Sequence, residues 1–329
     1  MSDSTRPSVT RSTRSTRRLG AGAGALALAC AAVVAPGLTT AASAAPTYAP
    51  VEEATITPGV QMYTGGGQCT ANFVFDDDAG NVFVGYAAHC AGLGEATDTN
   101  GCQASSMPLG TRVDFVRGGS LLGAGERLGG GTLVYSSWLA MQEAGTTDEN
   151  ACAFNDFALV QVDDADLDQV NPTVPFFGGP TGIDTDGTRP GEQVFSYGNS
   201  SLRGGIELLS PKRGASLGDS GDGWSHSVYT LTPGVPGDSG SGFMTSGGAA
   251  LGTLSTLALA PLPASNGVGD LSRELAYAQQ HSGLAGLDLV EGTEPFTPNG
   301  SLDAVGLLDL GGLGGLGGVL GGLGSRLGR

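Results

Sequence analysis

Positive charge is scarce in this chain. Its 329 residues include 15 Lys and Arg against 32 Asp and Glu, which gives a formal net charge of −17. Nucleic acids and anionic lipids are themselves densely negative, so we expect neither as a partner. Two acidic clusters, at 76–78 and 163–166, have the oxygen ligands that calcium prefers, but neither has a recognisable ligand loop. We interpret both clusters as solvated loops.

Long hydrophobic runs are also missing, except for one short stretch near the N-terminus. Five arginines form a basic head there, and an Ala/Gly/Leu stretch follows over about 20–37. Ala42-Ser43-Ala44 then supplies the small residues of a cleavage site. We interpret 1–44 as a signal peptide, which predicts a secreted protein without a membrane anchor after its removal. The pair Arg17-Arg18 is also compatible with the twin-arginine export route, so two routes of export remain open.

Cysteines are few, and no Cys-x-x-Cys pair occurs. Cys30 falls inside the signal peptide, which leaves Cys69, Cys90, Cys102 and Cys152. An even number in an exported protein predicts a disulfide framework, for which three connectivities are possible. Zinc is the alternative, but these spacings are not typical of zinc sites, and we expect no metal.

Glycine, by contrast, is abundant, with 58 residues. Short β-rich runs alternate with Gly, Asn, Asp and Pro, a pattern typical of an all-β barrel or sandwich. Strands are predicted at 72–75, 82–87, 111–116, 132–135, 157–162, 193–197, 227–231, 242–244 and 250–257. A helix is predicted at 269–280 with Asp270 as its N-cap. Gly/Leu repeats then predict a mobile tail over 295–329.

Three residues in short motifs fit one kind of catalysis. His89 ends the run Ala87-Ala88-His89-Cys90, Asp156 precedes an apolar run, and Ser239 lies in Gly237-Asp238-Ser239-Gly240. A serine hydroxyl becomes a nucleophile when a base takes its proton, and a buried carboxylate holds that base in one tautomer. His89, Asp156 and Ser239 are therefore the candidate base, orienting residue and nucleophile. The N–H groups of Gly237 and Ser239 are the candidate oxyanion hole.

Other residues compete for these roles. Asp156 is preferred because the β-rich run Phe157 to Val162 follows it directly, and its rivals are Asp148, Asp163 and Asp164. His226 lies in a polar strand-like stretch, and His281 lies near the end of the predicted helix, where positive charge suits the helix dipole. We assign no catalytic role to either histidine.

These motifs, together with Cys69-Thr70-Ala71-Asn72-Phe73, resemble those of the trypsin/chymotrypsin family of serine proteases, and more closely its secreted bacterial, streptogrisin-like branch. The resemblance covers about 65–260. It implies an all-β fold of two antiparallel six-stranded β-barrels with a C-terminal helix, and a site in the cleft between the barrels. It also implies a Cys69–Cys90 disulfide and, with it, Cys102–Cys152. We expect an extended segment at 45–64, a protease domain at 65–294 and then the tail.

The resemblance further implies a serine endopeptidase that cleaves polypeptide substrates through an acyl-enzyme and uses no cofactor. We expect it to be a monomer. Trypsin-type enzymes have an acidic residue six positions before the nucleophile, where this chain has Pro233. Ser255, Thr256 and Leu257 stand where substrate backbone pairs, and Leu257 replaces a glycine of the family. We predict a shallow apolar pocket for small or medium side chains, not for Lys or Arg.

Two alternatives concern the function itself. Ser241-Gly242 replace the Gly-Pro that usually ends the family's serine motif, which keeps open a catalytically impaired binding module on the same scaffold. An esterase of the α/β-hydrolase type is disfavoured by the order of the triad and by the absence of Gly-x-Ser-x-Gly at 239. No activating cleavage signal is visible, so Asp238 is expected to pair with an internal cation, and Arg203 is the candidate.

Overall fold

The computed structural model of the protein describes residues 46–94, 100–258 and 265–299. The predicted signal peptide, with Cys30, and residues 300–329 of the predicted tail lie outside these ranges. Within the described ranges, no helix is long and apolar enough to cross a membrane.

The described chain is mostly β-structure. Its strands are β1 (Gln61–Thr64), β2 (Gly67–Thr70), β3 (Val74–Asp76), β4 (Val82–Tyr86), β5 (Arg112–Arg117), β6 (Glu126–Ser136), β7 (Ala158–Val162), β8 (Gln193–Tyr197), β9 (Pro211–Ser220), β10 (Ser225–Thr230), β11 (Gly242–Thr245), β12 (Ala250–Ala258), β13 (Ser265–Asp270) and β14 (Asp288–Leu289). Its α-helices are α1 (Ser137–Ala144), α2 (Glu149–Phe154) and α3 (Leu271–His281).

The first sheet closes into a barrel through a bend in the chain. Its strands follow the order β14-β3-β4-β7-β6-β5-β1-β2, and β2 and β3 are one piece of chain with a bend at 71–73. In this bend the Ala71 N–H donates to Val60 O at 2.9 Å, and the Asn72 N–H donates to Gly85 O at 2.8 Å. The bent strand therefore pairs with β1 by its first half and with β4 by its second half. The result is a six-stranded antiparallel barrel, with β14 added beside β3.

The second sheet is a closed barrel of six antiparallel strands in the order β10-β13-β12-β11-β8-β9. Strand β13 runs directly into α3, where Asp270 Oδ1 accepts the Arg273 N–H at 2.9 Å and caps the helix. Two six-stranded barrels and a C-terminal helix confirm the expected fold class.

An aromatic cluster joins the two barrels. Phe73 and Phe157 of the first barrel are fully buried in the same cluster as Phe195 of the second, together with Leu271 and Leu275 of α3. Burial of aromatic side chains supplies much of the packing energy of such a boundary. The loops at the ends of both barrels are thereby positioned against each other.

Two segments that the sequence analysis set apart belong to this packed structure. Ile56 is fully buried, and its carbonyl accepts the Asn171 N–H at 3.1 Å, so the chain before β1 is anchored rather than a free extension. At the other end, the ring of Phe296 lies 5.3 Å from that of Phe195, and the Thr297 N–H donates to Phe177 O. Residues 295–299 are therefore packed against the second barrel and not part of a tail.

A buried histidine ties the second barrel to α3. The side chain of His226 has no exposed surface, its Nδ1 lies 2.7 Å from Asp219 Oδ1, and its Nε2 lies 3.1 Å from Asp270 Oδ2. Burial alone would lower the pKa of His226, but the hydrogen bonds and charges of Asp270 and Asp219 outweigh it and raise that pKa. The imidazolium donates to both carboxylates, so the fold favours this form.

This raised pKa predicts a pH-dependent contribution to stability. The contribution is complete below the unfolded pKa of about 6.5 and is lost as the pH rises through the folded value. We expect His226→Gln to lower the free energy of unfolding by about 2–4 kcal/mol at pH 5.5 and by less at pH 9, in urea titrations. His281→Gln, at an exposed helix end, is the control. An equal loss at both pH values for His226→Gln would contradict the assignment.

Candidate active site

His89 lies on a short 3-10 turn, Ala88–Ala91, directly after β4. Its Nδ1 is 2.6 Å from Asp156 Oδ2, and its backbone N–H donates to Asp156 Oδ1 at 2.8 Å. The disulfide Cys69–Cys90 holds this turn against β2. The disulfide Cys102–Cys152 ties the segment between this turn and β5 to α2. Both bridges that the resemblance implies are therefore present. The histidine side chain keeps 27% of its surface exposed.

Asp156 is nearly inaccessible at the end of α2, with 4% of its surface exposed. Besides the two contacts with His89, its Oδ2 accepts the Ser255 hydroxyl at 2.5 Å. Burial alone would raise the pKa of Asp156, but the charge and hydrogen bonds of His89, aided by Ser255, lower it. Burial would likewise lower the pKa of His89, and Asp156 raises it above its ordinary value. The pair is thus a carboxylate that orients an imidazole through Nδ1 and favours its protonated form.

The rival aspartates are engaged elsewhere. Asp148 caps α2 by accepting the N–H groups of Asn150 and Ala151. Asp163 forms an ion pair with Arg112 at 2.6 Å on the outside of the first barrel. Asp164 begins the 3-10 turn after β7. Asp156 alone of these four contacts His89 within the described chain.

Ser239 lies in a tight turn that contacts both the histidine turn and β12. Its carbonyl accepts the Thr70 N–H at 2.8 Å, and the next N–H, of Gly240, donates to Leu254 O at 2.7 Å. A Cβ at Gly240 would lie 2.9 Å from Ala87 N, two residues before His89, so the chains approach closely here. The turn therefore lies beside Ala87, which precedes the histidine turn, and beside Leu254, which precedes Ser255. No hydrogen bond joins its hydroxyl to the imidazole in the described residues, and such bonds are often long without substrate.

The backbone before Ser239 leaves two N–H donors free. Gly237 has a φ of +95°, a value that favours glycine, and a Cβ there would come within 2.2 Å of Gln68 Oε1. Its carbonyl accepts from Thr70 Oγ1 at 2.7 Å and Gln68 Nε2 at 3.0 Å, while Pro236 O accepts the Ser200 hydroxyl at 2.6 Å. The carbonyls of Pro236 and Gly237 are thus occupied by side-chain donors. The N–H groups of Gly237 and Ser239 have no acceptor among the described residues.

Asp238 is fully buried beneath this turn and is paired with two cations. Its Oδ2 lies 2.6 Å from Arg203 Nη2, as the sequence analysis expected, and 2.5 Å from Lys212 Nζ. Burial would raise the pKa of Asp238, but Lys212 and Arg203 lower it. Burial lowers the pKa of Lys212 to about 8. Lys212 was not predicted as a partner of Asp238, although it is the only lysine in the sequence.

The residues predicted to line the primary pocket lie on two segments of the chain. Pro233 precedes the turn and its carbonyl accepts from Arg203 at 3.2 Å, whereas Ser255, Thr256 and Leu257 belong to β12. The hydroxyl of Ser255 is directed to Asp156. Leu257 is 53% exposed at the rim.

One further side chain lies between these two walls. Asn266 of β13 is 2% exposed, its Oδ1 accepts the Gly234 N–H at 3.0 Å, and its Nδ2 lies 3.4 Å from Thr256 O. It therefore joins the segment before Ser239 to β12 and occupies the space between them. Asn266 was not among the predicted pocket residues, because no local sequence feature in Ser265–Asp270 distinguishes it.

The two cations of Asp238 differ in burial, which predicts different costs of removal. Lys212 has no exposed side-chain surface, whereas Arg203 keeps 11%. We expect Lys212→Met to lower the free energy of unfolding by about 3–5 kcal/mol and Arg203→Ala by about half as much, in guanidinium titrations at pH 7. The exposed ion pair of Arg112 and Asp163 is the control, and Arg112→Ala should lower the free energy of unfolding by less than about 1 kcal/mol. Equal losses for Lys212→Met and Arg112→Ala would refute the role given to Lys212.

Comparison with known proteins gives structural likenesses at low sequence identity. No family model and no curated protein matches the sequence. Protease A of Thermobifida fusca matches at 18% identity and a TM-score of 0.44, over 72% of this chain and 99% of that one. The Nocardiopsis protease matches at 17% identity and a TM-score of 0.43, over 71% and 98%. A glutamic acid-specific serine protease that uses a histidine triad in substrate binding matches at 18% and 0.40, over 71% and 100%. The chain is similar in structure to these serine proteases.

Proposed function

We propose that this protein is a secreted serine endopeptidase with His89, Asp156 and Ser239 as its catalytic triad. The observation that carries the proposal is the 2.6 Å contact from His89 Nδ1 to the buried carboxylate of Asp156, beside a turn that presents Ser239 and two free N–H donors. An oriented base, a nucleophile and an oxyanion site are the parts that acyl transfer needs.

In the proposed mechanism, the Ser239 hydroxyl attacks the carbonyl carbon of a peptide bond while His89 Nε2 takes its proton. The carbonyl oxygen becomes negative and receives hydrogen bonds from the N–H groups of Gly237 and Ser239. Asp156 stabilises the imidazolium through Nδ1. Imidazolium then gives the proton to the departing amine, and an acyl-enzyme remains. Water, activated by the same histidine, releases the acid and restores the serine.

The extracellular location belongs to the same proposal. It is supported by the basic and apolar N-terminal segment and by two disulfides, which persist in oxidising compartments.

The primary pocket is proposed to take small side chains. Asn266 spans the space between Gly234 and Thr256, so a long substrate side chain would meet its amide instead of an open slot. Pro233 stands where an acidic residue would be needed to bind a basic side chain, which disfavours Lys and Arg in the substrate. Leu257 at the rim adds apolar contact.

Covalent labelling tests the proposed chemistry. A peptidyl organophosphonate should modify Ser239, and mass spectrometry of peptide fragments locates the adduct. Ser239→Ala should abolish labelling and lower kcat for a chromogenic peptide by about 10⁴–10⁶-fold, because the nucleophile is lost. A well-folded protein that is neither labelled nor active would instead support the binding module.

Asn266→Gly tests the pocket. We expect the folded protein to cleave best after Ala or Val, and to cleave at least tenfold more slowly after Phe or Arg in terms of kcat/KM. Asn266→Gly should raise kcat/KM after Phe at least tenfold relative to Ala, because the amide no longer occupies the slot. Asn299→Gly, at an exposed position, should leave the ratio unchanged. Preferred cleavage after Arg by the unmodified protein would disprove this pocket.

A further inference from the structure

Glu274 is a fully buried carboxyl group directly behind the proposed triad, and the mechanism above does not use it. It lies one turn into α3, with no exposed surface. A Cβ at Gly269 would lie 2.3 Å from Glu274 Oε1, so β13 approaches it as closely as a glycine allows. Such a group needs a physical explanation, because an isolated buried carboxylate is strongly unfavourable.

Its two oxygens hold the two chain segments that meet at Asp156. Oε1 accepts the backbone N–H of Asp156 at 3.1 Å. Oε2 lies 2.8 Å from Thr253 Oγ1, and that hydroxyl also accepts from Asn72 Nδ2 at 3.2 Å. Thr253 stands two residues before Ser255, whose hydroxyl donates to Asp156. Glu274 thus connects the backbone of Asp156 with β12, the strand whose Ser255 donates a hydrogen bond to the Asp156 carboxylate.

The charges around Glu274 oppose its ionisation. The titratable groups that face it are Asp156, the cap residue Asp270 and the phenol of Tyr135 on β6. No Lys, Arg or His forms an ion pair with it within the described ranges. Burial, reinforced by the charges of Asp156 and Asp270, raises the pKa of Glu274 well above its usual range, and the bonds from Thr253 and Asp156 offset this only in part.

We propose that Glu274 is a neutral carboxylic acid that positions Asp156 for His89, by holding the Asp156 backbone and, through Thr253, the strand of Ser255. A neutral acid keeps both contacts, since its carbonyl oxygen accepts the N–H and its hydroxyl donates to Thr253 Oγ1, where a carboxylate would accept the threonine proton. An ionised Glu274 would place a second negative charge beside Asp156 and stabilise the imidazolium of His89 beyond what Asp156 does. The inference rests on the proposed function, but the charge state and the contacts can be tested without activity.

The experiment uses the processed full chain with three variants: Glu274→Gln, Glu274→Ala and the exposed control Glu143→Gln. Glutamine reproduces the hydrogen-bond pattern of the neutral acid, whereas alanine removes it. The pKa of His89 is followed by NMR of its imidazole, together with the low-field Nδ1–H signal of the bond to Asp156. Steady-state kcat and KM are measured on a chromogenic peptide.

We expect Glu274→Gln to leave the pKa of His89 within about 0.3 of the unmodified value and kcat within threefold, as for Glu143→Gln. Glu274→Ala should lower kcat about 10–100-fold with KM within threefold, and weaken the Nδ1–H signal, because Asp156 shifts. If Glu274→Ala does not fold, Thr253→Val replaces it, since it removes only the hydroxyl at Oε2.

Two results would overturn the proposal. A fall of about 1 in the pKa of His89 in Glu274→Gln would show that Glu274 is ionised. An unchanged Nδ1–H signal in Glu274→Ala would show that Glu274 positions nothing. Where Thr253→Val replaces it, an unchanged signal would overturn the part of the proposal in which Glu274 holds the strand of Ser255. If the unmodified protein is inactive while the NMR results follow expectation, the proposed protease activity fails and the positioning role of Glu274 stands.

Discussion

The carboxylate of Asp156 is the group on which the rest of this site depends. It is almost completely buried, so it stays ionised only because donors surround it: the imidazole and backbone N–H of His89 and the hydroxyl of Ser255. These donors come from the turn after β4 of the first barrel and from β12 of the second. The charge can therefore be accommodated only when both barrels are folded and packed together.

Three buried carboxyl groups near Ser239 are stabilised in three different ways. Asp156 is held by a histidine and hydroxyl and amide donors, whereas Asp238 lies between Lys212 and Arg203. Glu274 has no cationic partner among the described residues and is as deeply buried as Asp156. A carboxylate beside a positive charge stays ionised, and one beside another carboxylate becomes neutral. The chain thus places positive charge under the turn of Ser239 and keeps it away from the side of Asp156, where it would compete with the imidazolium.

The parts of this structure that the sequence predicted are those with local signals. Each predicted strand overlaps an observed one, Asp270 caps α3, and Arg203 reaches Asp238. Strands β1, β2, β9 and β13 were missed because polar residues and glycine weaken their alternation, and β14 was missed because it has only two residues. Lys212, Asn266 and Glu274 acquire their roles from partners 26, 32 and 118 residues away. No local pattern pairs these residues with their partners, so the pairings become visible only in the folded barrels.

The altered end of the serine motif has a packing explanation. Gly242 begins β11 against Phe73, and a Cβ at 242 would lie 2.6 Å from the ring. Phe73 lies in the bend that closes the first barrel, so a bulkier residue at 242 would push the two barrels apart. Ser241 is fully buried, its N–H donates to Asp238 O at 3.0 Å, and its carbonyl accepts the Leu254 N–H at 2.9 Å. Both positions therefore lie at the junction behind Ser239, and neither residue takes a donor or acceptor from the proposed catalytic groups.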